Sequence, residues 1–261
     1  MQNRELGGWI NAADTQTDAI LNTAAGLLAL SKHRNKCVDQ PTRGDLDIRI
    51  SAASNFLLDR LSKFEPSALK SPLPVGFELL LPTLLELLSE EEDLQFSHIT
   101  FPGLETLLRI RDDKLSRMDL KDMLNTGKLR TALHSLEAFI GRMDFDWLKG
   151  QKTEGSMMGS PSSTAAYMMH SSVWDDECED YLRHVLANGS GRGNGEAPSA
   201  FPSTYFEISW VISTLLANGF SRNDLGPNNL EQLESTLRHA FDKGGGRIGF
   251  GEFKCFCSWV E

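Results

Sequence analysis

Apolar positions recur at three- and four-residue steps along most of this chain. Ile20, Ala24, Leu27 and Leu28 form one stripe, and Ala53, Leu57, Leu61 and Phe64 form a second. Such a period gives a helix one apolar face to bury. Asp14 and Thr15 stand where the first helix would be capped. Pro82 suits the first turn of a third helix, TLLELLSEEED, because its missing N–H costs little there. Further stripes run over 129–140, 163–169, 177–187, 201–218 and 229–241. Strand-like alternation with hairpin turns is scarce, so the pattern predicts an all-α fold.

Polar breakers divide these stripes. NGSGRGNGEAPSAFPS, over 188–203, is too rich in Gly and Ser to be helix and reads as a flexible surface loop, ending where Pro202 can begin a helix. Gly244 to Gly246 stop the last stripe. The run Glu90 to Asp93 reads as a solvated helix end. KGQKTEGSMMGSPSSTAAY, over 149–167, is different. It lies deep between two apolar segments, which marks a shaped loop opening a helix, with Ser162, Ser163 or Thr164 available to cap it.

The 261 residues are enough for one or two domains. A net charge of −10 argues against nucleic acid and anionic membranes as partners, because no broad basic face would meet phosphates. No apolar run reaches the ~18 residues of a membrane span, and the N-terminus lacks a signal-peptide core. A soluble, cytoplasmic protein is the expectation. Cys37, Cys178, Cys255 and Cys257 lack zinc-ligand spacing and read as free thiols.

Four pieces stand in order around the shaped loop: LHSLEA (133–138), MDFDW (143–147), EGSM (154–157) and SPSSTA (160–165). Their order and spacing resemble the LHSLEG, DLDW, DGSF and SPSSTA pattern of class II diterpene cyclases. QNRELGGW (2–9), DAILNTAAGLLAL (18–30), GFELLLPTLLE (76–86) and PSAFPSTYFEISWVISTLLANGFSR (198–222) also resemble family segments, so the likeness covers most of the chain. PTLLELL and PSAFPST look closer to fungal copalyl diphosphate synthases than to plant ones.

The resemblance implies α/α barrel domains called β and γ, with γ inserted into β. Residues 1–48 would be the first β-domain helices, 49–222 a γ-type α-barrel, and 223–261 the return towards β. It also implies roles. His134 matches a histidine implicated as the base that ends cyclisation, and imidazole titrates in the right range. Ser199 stands where plant relatives carry the partner Asn. Glu78 matches a glutamate thought to help hold Mg2+ near the diphosphate, chemistry suited to a hard cation. Lys114 resembles a lysine that contacts the diphosphate, although Asp119 replaces the Pro of that motif. His134, Glu78 and Lys114 would then face one cleft.

Two tempting motifs fail on their chemistry. Asp175, Asp176 and Glu179 in WDDECED imitate a class I DDxxD magnesium motif, but acidic residues are common at a helix start and no second metal motif follows. AFDKGGGRIGFGEF (240–253) imitates a calcium loop, but Gly244 and Gly246 occupy positions that need side-chain oxygens.

The family begins its reaction with an acid, the middle Asp of DxDD, that protonates geranylgeranyl diphosphate. Paired carboxylates let one hold the other protonated. This chain contains no DxDD. Two readings follow. One is part of a cyclase making copalyl diphosphate, a fragment that needs the remaining β domain and is inactive alone. The other is a non-catalytic γ-domain remnant that binds a prenyl diphosphate or a partner chain.

Overall fold

A computed structural model describes residues 2–10, 15–70, 73, 76–118, 131–188, 197–198, 200–202, 204–226, 230, 231, 234, 235 and 238. The described residues contain α-helices, 3-10 turns and isolated bridges but no strands, so the chain is all-α. None of their helices is long and apolar enough to cross a membrane. The chain packs as two compact units, Met1–Asp119 and Leu120–Glu261, a boundary that falls inside the expected 49–222 segment.

The first unit is built on apolar stripes. Helix α1 spans Gln16–Lys36 and opens on a capping box: the Thr15 side chain accepts from the Asp18 N–H, and Asp18 accepts from the Thr15 N–H. Helix α2, Gln40–Ser62, is capped by Asp39. The stripe residues Ile20, Ala24 and Leu27 of α1 meet Ala53, Leu57 and Leu61 of α2 in one buried cluster. The Phe64 ring lies tilted 5.8 Å from Phe77 and edge-on at 6.1 Å from Phe101. Gly103 is needed beside it, since an added Cβ would lie 2.7 Å from the Phe64 ring.

Helix α3, Phe77–Ser89, begins earlier than the sequence pattern predicts and carries Pro82 inside it. Gly76, at φ 80°, turns the chain into the helix in a left-handed conformation that favours glycine. Pro82 then removes the N–H that would have met the Glu78 carbonyl. Burial of Phe77, Leu81, Leu85 and Leu88 outweighs that single lost bond. Helix α4, Leu104–Ser116, packs on α3 and buries Leu107 fully.

The run Glu90 to Asp93 follows the end of α3 and is exposed as expected at Glu90, Glu92 and Asp93, but not at Glu91. Glu91 is buried and accepts from Ser31 Oγ at 2.8 Å and Asn35 Nδ2 at 3.2 Å, and it pairs with Lys32. Asp93 pairs with Arg34. A carboxylate taken out of water needs such partners, and α1 supplies them.

The second unit holds 3-10 segments over Thr131–Phe139 and Phe145–Gln151, then α5 (Pro161–His170), α6 (Asp176–Asn188) and α7 (Thr204–Ala217). The 129–140 stripe is therefore no α-helix where it is described. Ser135, at φ −139°, kinks it. The Gly244–Gly246 stop, the calcium-like loop over 240–253, Cys255 and Cys257 lie outside the described residues, as does most of the 188–203 breaker.

Candidate functional site

The motif segments of the second unit converge on the start of α5. The cap of that helix is Ser160, whose Oγ accepts from the Ser163 N–H at 3.3 Å, with Pro161 in the first turn. This corrects the expectation that Ser162, Ser163 or Thr164 would cap. Ser163 and Thr164 are instead fully buried and serve neighbouring backbone. Thr164 Oγ1 accepts from the Met157 N–H at 3.0 Å and donates to the Ser160 carbonyl at 2.7 Å.

Ser163 joins LHSLEA to SPSSTA. Ser135 kinks the segment, and directly after the kink Ser163 Oγ accepts from the Leu136 N–H at 3.0 Å. The same hydroxyl donates to Glu137 Oε2 at 3.1 Å, while Ser162 Oγ donates to Glu137 Oε1 at 2.9 Å. Glu137 thus places a carboxylate at the positive end of α5. His134 lies one residue before the kink and is half-buried.

The intervening loop is shaped by its own polar groups. Thr153 and Ser156 exchange backbone bonds at 2.9 and 3.0 Å, and Ser156 Oγ accepts from the Gly159 N–H at 3.0 Å. Gly155, at φ 71°, lies so close to α6 that a Cβ would stand 2.6 Å from the Glu177 carbonyl oxygen. The two Asp residues of MDFDW hold backbone as well. Asp144 accepts from the Asp146 N–H at 3.0 Å, and Asp146 accepts from the Ser172 N–H at 2.7 Å at the far end of α5.

The end of the 188–203 breaker returns to the same place. The Phe201 N–H donates to the Gly159 carbonyl at 2.8 Å, and Tyr181 Oη donates to the Phe201 carbonyl at 2.7 Å. Burial pushes the Tyr181 phenol above its ordinary range, which keeps it a donor. Ser199 itself lies outside the described residues, but Phe201, two positions on, is anchored here.

WDDECED proves to be part of this scaffold. Asp175 is not solvent-facing: Lys152 Nζ donates to its two carboxylate oxygens at 2.8 and 2.7 Å and to Glu177 at 2.6 Å. Burial works to raise the Asp175 pKa, but hydrogen bonds from Lys152 and from the Cys178 N–H outweigh it and hold the carboxyl below its ordinary value. Burial, reinforced by the charge of Asp175, pushes the Cys178 thiol up to about 12, so it stays an inert thiol. Cys37 is also free.

Glu78 and Lys114 lie in the first unit and meet there. The Glu78 side chain, on the first turn of α3, is 8% exposed, and Lys114, in the last turn of α4, donates to its Oε1. Glu78 is thus one carboxylate that already has a cation. Among the described residues no group of three His, Cys, Asp or Glu stands where a metal could be held. His134 belongs to the other unit. Sequence reasoning missed Glu137, Tyr181 and the Lys152–Asp175 pair. An acidic residue three positions after His134 and opposite a Ser-rich helix start was the one signal available for Glu137.

No family model matches the chain. It is 47% identical to a copalyl diphosphate synthase of Talaromyces verruculosus, over 95% of this chain and 25% of that protein. A phyllocladan-16-alpha-ol synthase of Phomopsis amygdali is 44% identical over 96% of the chain and 24% of its own length. A bifunctional ent-kaurene synthase of Gibberella fujikuroi is 39% identical over 94% of the chain and 25% of its own length. The chain spans about a quarter of the length of these curated relatives.

Ser163→Ala should destabilise the chain by about 1–3 kcal/mol, because it leaves the Leu136 N–H buried without an acceptor. Ser162→Ala, at an exposed position, should cost less than about 1 kcal/mol. Urea denaturation measures both, and equal losses would remove Ser163 from its bridging role. The Lys152–Asp175 bond adds a pH dependence. Asp175 has a lowered pKa in the folded state, so its contribution is full above the unfolded pKa near 3.8 and fades as pH falls through the folded value. The gap between the melting curves of wild type and Asp175→Asn should hold from pH 7 to the unfolded pKa and narrow progressively below it, and a gap that widens as pH falls below it would contradict this origin.

Proposed function

We propose that this chain, which matches a class II diterpene cyclase fragment over nearly its whole length, supplies the γ-type part of an enzyme that converts geranylgeranyl diphosphate into copalyl diphosphate. The observation that carries the reading is the convergence of LHSLEA, SPSSTA and residues 200–202 on the start of α5. In this reading residues 49–222 form the γ-type barrel, and 1–48 and 223–261 belong with the β domain.

The chemistry assigns work by acid strength. Opening the reaction needs an acid strong enough to protonate an alkene, held against it. An imidazolium is too weak, Asp175 is bound to Lys152, and the sequence holds no DxDD pair. Protonation therefore falls to a carboxylic acid that this sequence does not supply, and the chain does not cyclise substrate by itself. Ending the reaction needs a base near neutrality, and His134 suits that task. Ser199, at the Asn position, would hold a water beside it. Lys114 would contact the diphosphate. A magnesium ion, implied by the family, would find in Glu78 a single carboxylate already engaged by Lys114. These residues do not by themselves fit a metal.

The non-catalytic reading is favoured by one fact, the lack of DxDD. A graft separates the two. The chain replaces the corresponding quarter of the Talaromyces synthase, and the product is dephosphorylated and sought as copalol by mass spectrometry. The graft should make copalol and the isolated chain should not. His134→Ala in the graft should lower turnover by about 10²–10⁴-fold, the usual contribution of a general base. A folded graft that makes no copalol would favour the binding module.

A further inference from the structure

The Glu78–Lys114 pair is asymmetric. The Glu78 side chain is 8% exposed and that of Lys114 is 53% exposed. A carboxylate removed from water is costly without a cation, whereas an ammonium on a flexible stem can return to water. The lysine is therefore the partner that can move, and an incoming anion has to outweigh the cost of leaving Glu78 without it. A second pair holds the same two helices: Arg111 donates to Glu86 at 2.8 Å. Release of Lys114 leaves α3 and α4 fastened together.

A magnesium ion at Glu78 would bring its own waters, since Mg2+ dehydrates reluctantly and keeps several of them. An 8% exposed carboxylate that already accepts from an ammonium has little room for such a hydrated ion. Its position suits a different role. An internal anion that occupies Lys114 must be displaced before an external anion can use that lysine.

We propose that Glu78 is the internal counter-ion of Lys114, competing with the diphosphate for it, and is not a metal ligand. The inference rests on the reading of Lys114 as a diphosphate contact. In the ligand-free chain the ammonium is held by Glu78. An incoming diphosphate takes the ammonium over by exchange of ion pairs, with no bond made or broken.

The test is calorimetric titration of the purified chain with inorganic diphosphate at fixed ionic strength, first in EDTA and then with Mg2+. Glu78→Gln should bind diphosphate about fivefold more tightly than wild type in EDTA, the scale of one partly exposed ion pair. Glu86→Gln removes the same charge from the same helix and should change affinity by less than about twofold, which separates competition from net charge. Lys114→Met should lose most of the binding, and the double variant Glu78→Gln with Lys114→Met should behave like Lys114→Met. Helical circular dichroism checks folding, and Glu78→Met replaces Glu78→Gln if the amide is not tolerated. Weaker binding by Glu78→Gln, seen only with Mg2+, would make Glu78 a metal ligand and overturn the inference while leaving Lys114 its role. An equal gain in Glu86→Gln would overturn it too. Unchanged binding by Lys114→Met, or no binding by the wild type, would remove the diphosphate reading and the inference with it.

Discussion

One amide hydrogen decides how the second unit is built. The kink at Ser135 precedes a Leu136 that is fully buried, and the Leu136 N–H donates to a side chain of another helix. A buried donor left unpaired costs more than an ordinary bond gains. Ser163 Oγ supplies the acceptor and spends its own proton on Glu137. That requirement ties the His134 segment to the first turn of α5. Thr164 ties the Met157 turn to the same place, and the Gly159 carbonyl receives Phe201. Three stretches distant in sequence therefore share one polar anchor.

The first unit solves its problem differently. Its core is an apolar cluster with few polar intrusions, and the two described carboxylates inside it each carry a cation. Glu91 is surrounded by Ser31, Asn35 and Lys32 and fixes the turn after α3 to α1. Glu78 has in Lys114 a partner that is half in water. The difference matters for function. A carboxylate enclosed by several donors is structural, whereas one paired with a half-exposed ammonium can exchange that ammonium with a ligand.

The helical stripes of the first unit were legible because its core is apolar and its period regular. Ile20 to Leu27 and Ala53 to Leu61 are buried as their spacing predicts, and Thr15 caps as its side chain allows. The motif order around SPSSTA was legible too, and LHSLEA and SPSSTA do touch. Four features were hidden. The start of α3 was misplaced because Pro82 looks like a first-turn residue, and its place inside a buried helix is a tertiary outcome. Ser160 was passed over as the cap because any of several hydroxyls satisfies the local pattern. The 131–139 segment reads as α-helix by period, and only the partner hydroxyl on α5 explains its kink. Glu91 looked solvated because its three donors come from a helix some sixty residues earlier. Ser199 lies outside the described residues, and the placing of Glu78 and His134 about one cleft is a matter between the two units.

Hydrogen exchange at three backbone amides tests the shared anchor most directly. Leu136, Met157 and Phe201 donate to Ser163 Oγ, Thr164 Oγ1 and the Gly159 carbonyl. If one anchor holds all three segments, these amides open together, with one common protection that exceeds that of exposed turns. Ser163→Ala should then speed exchange at all three. Protection at Met157 alone, with Leu136 and Phe201 exchanging as free peptide does, would contradict the account.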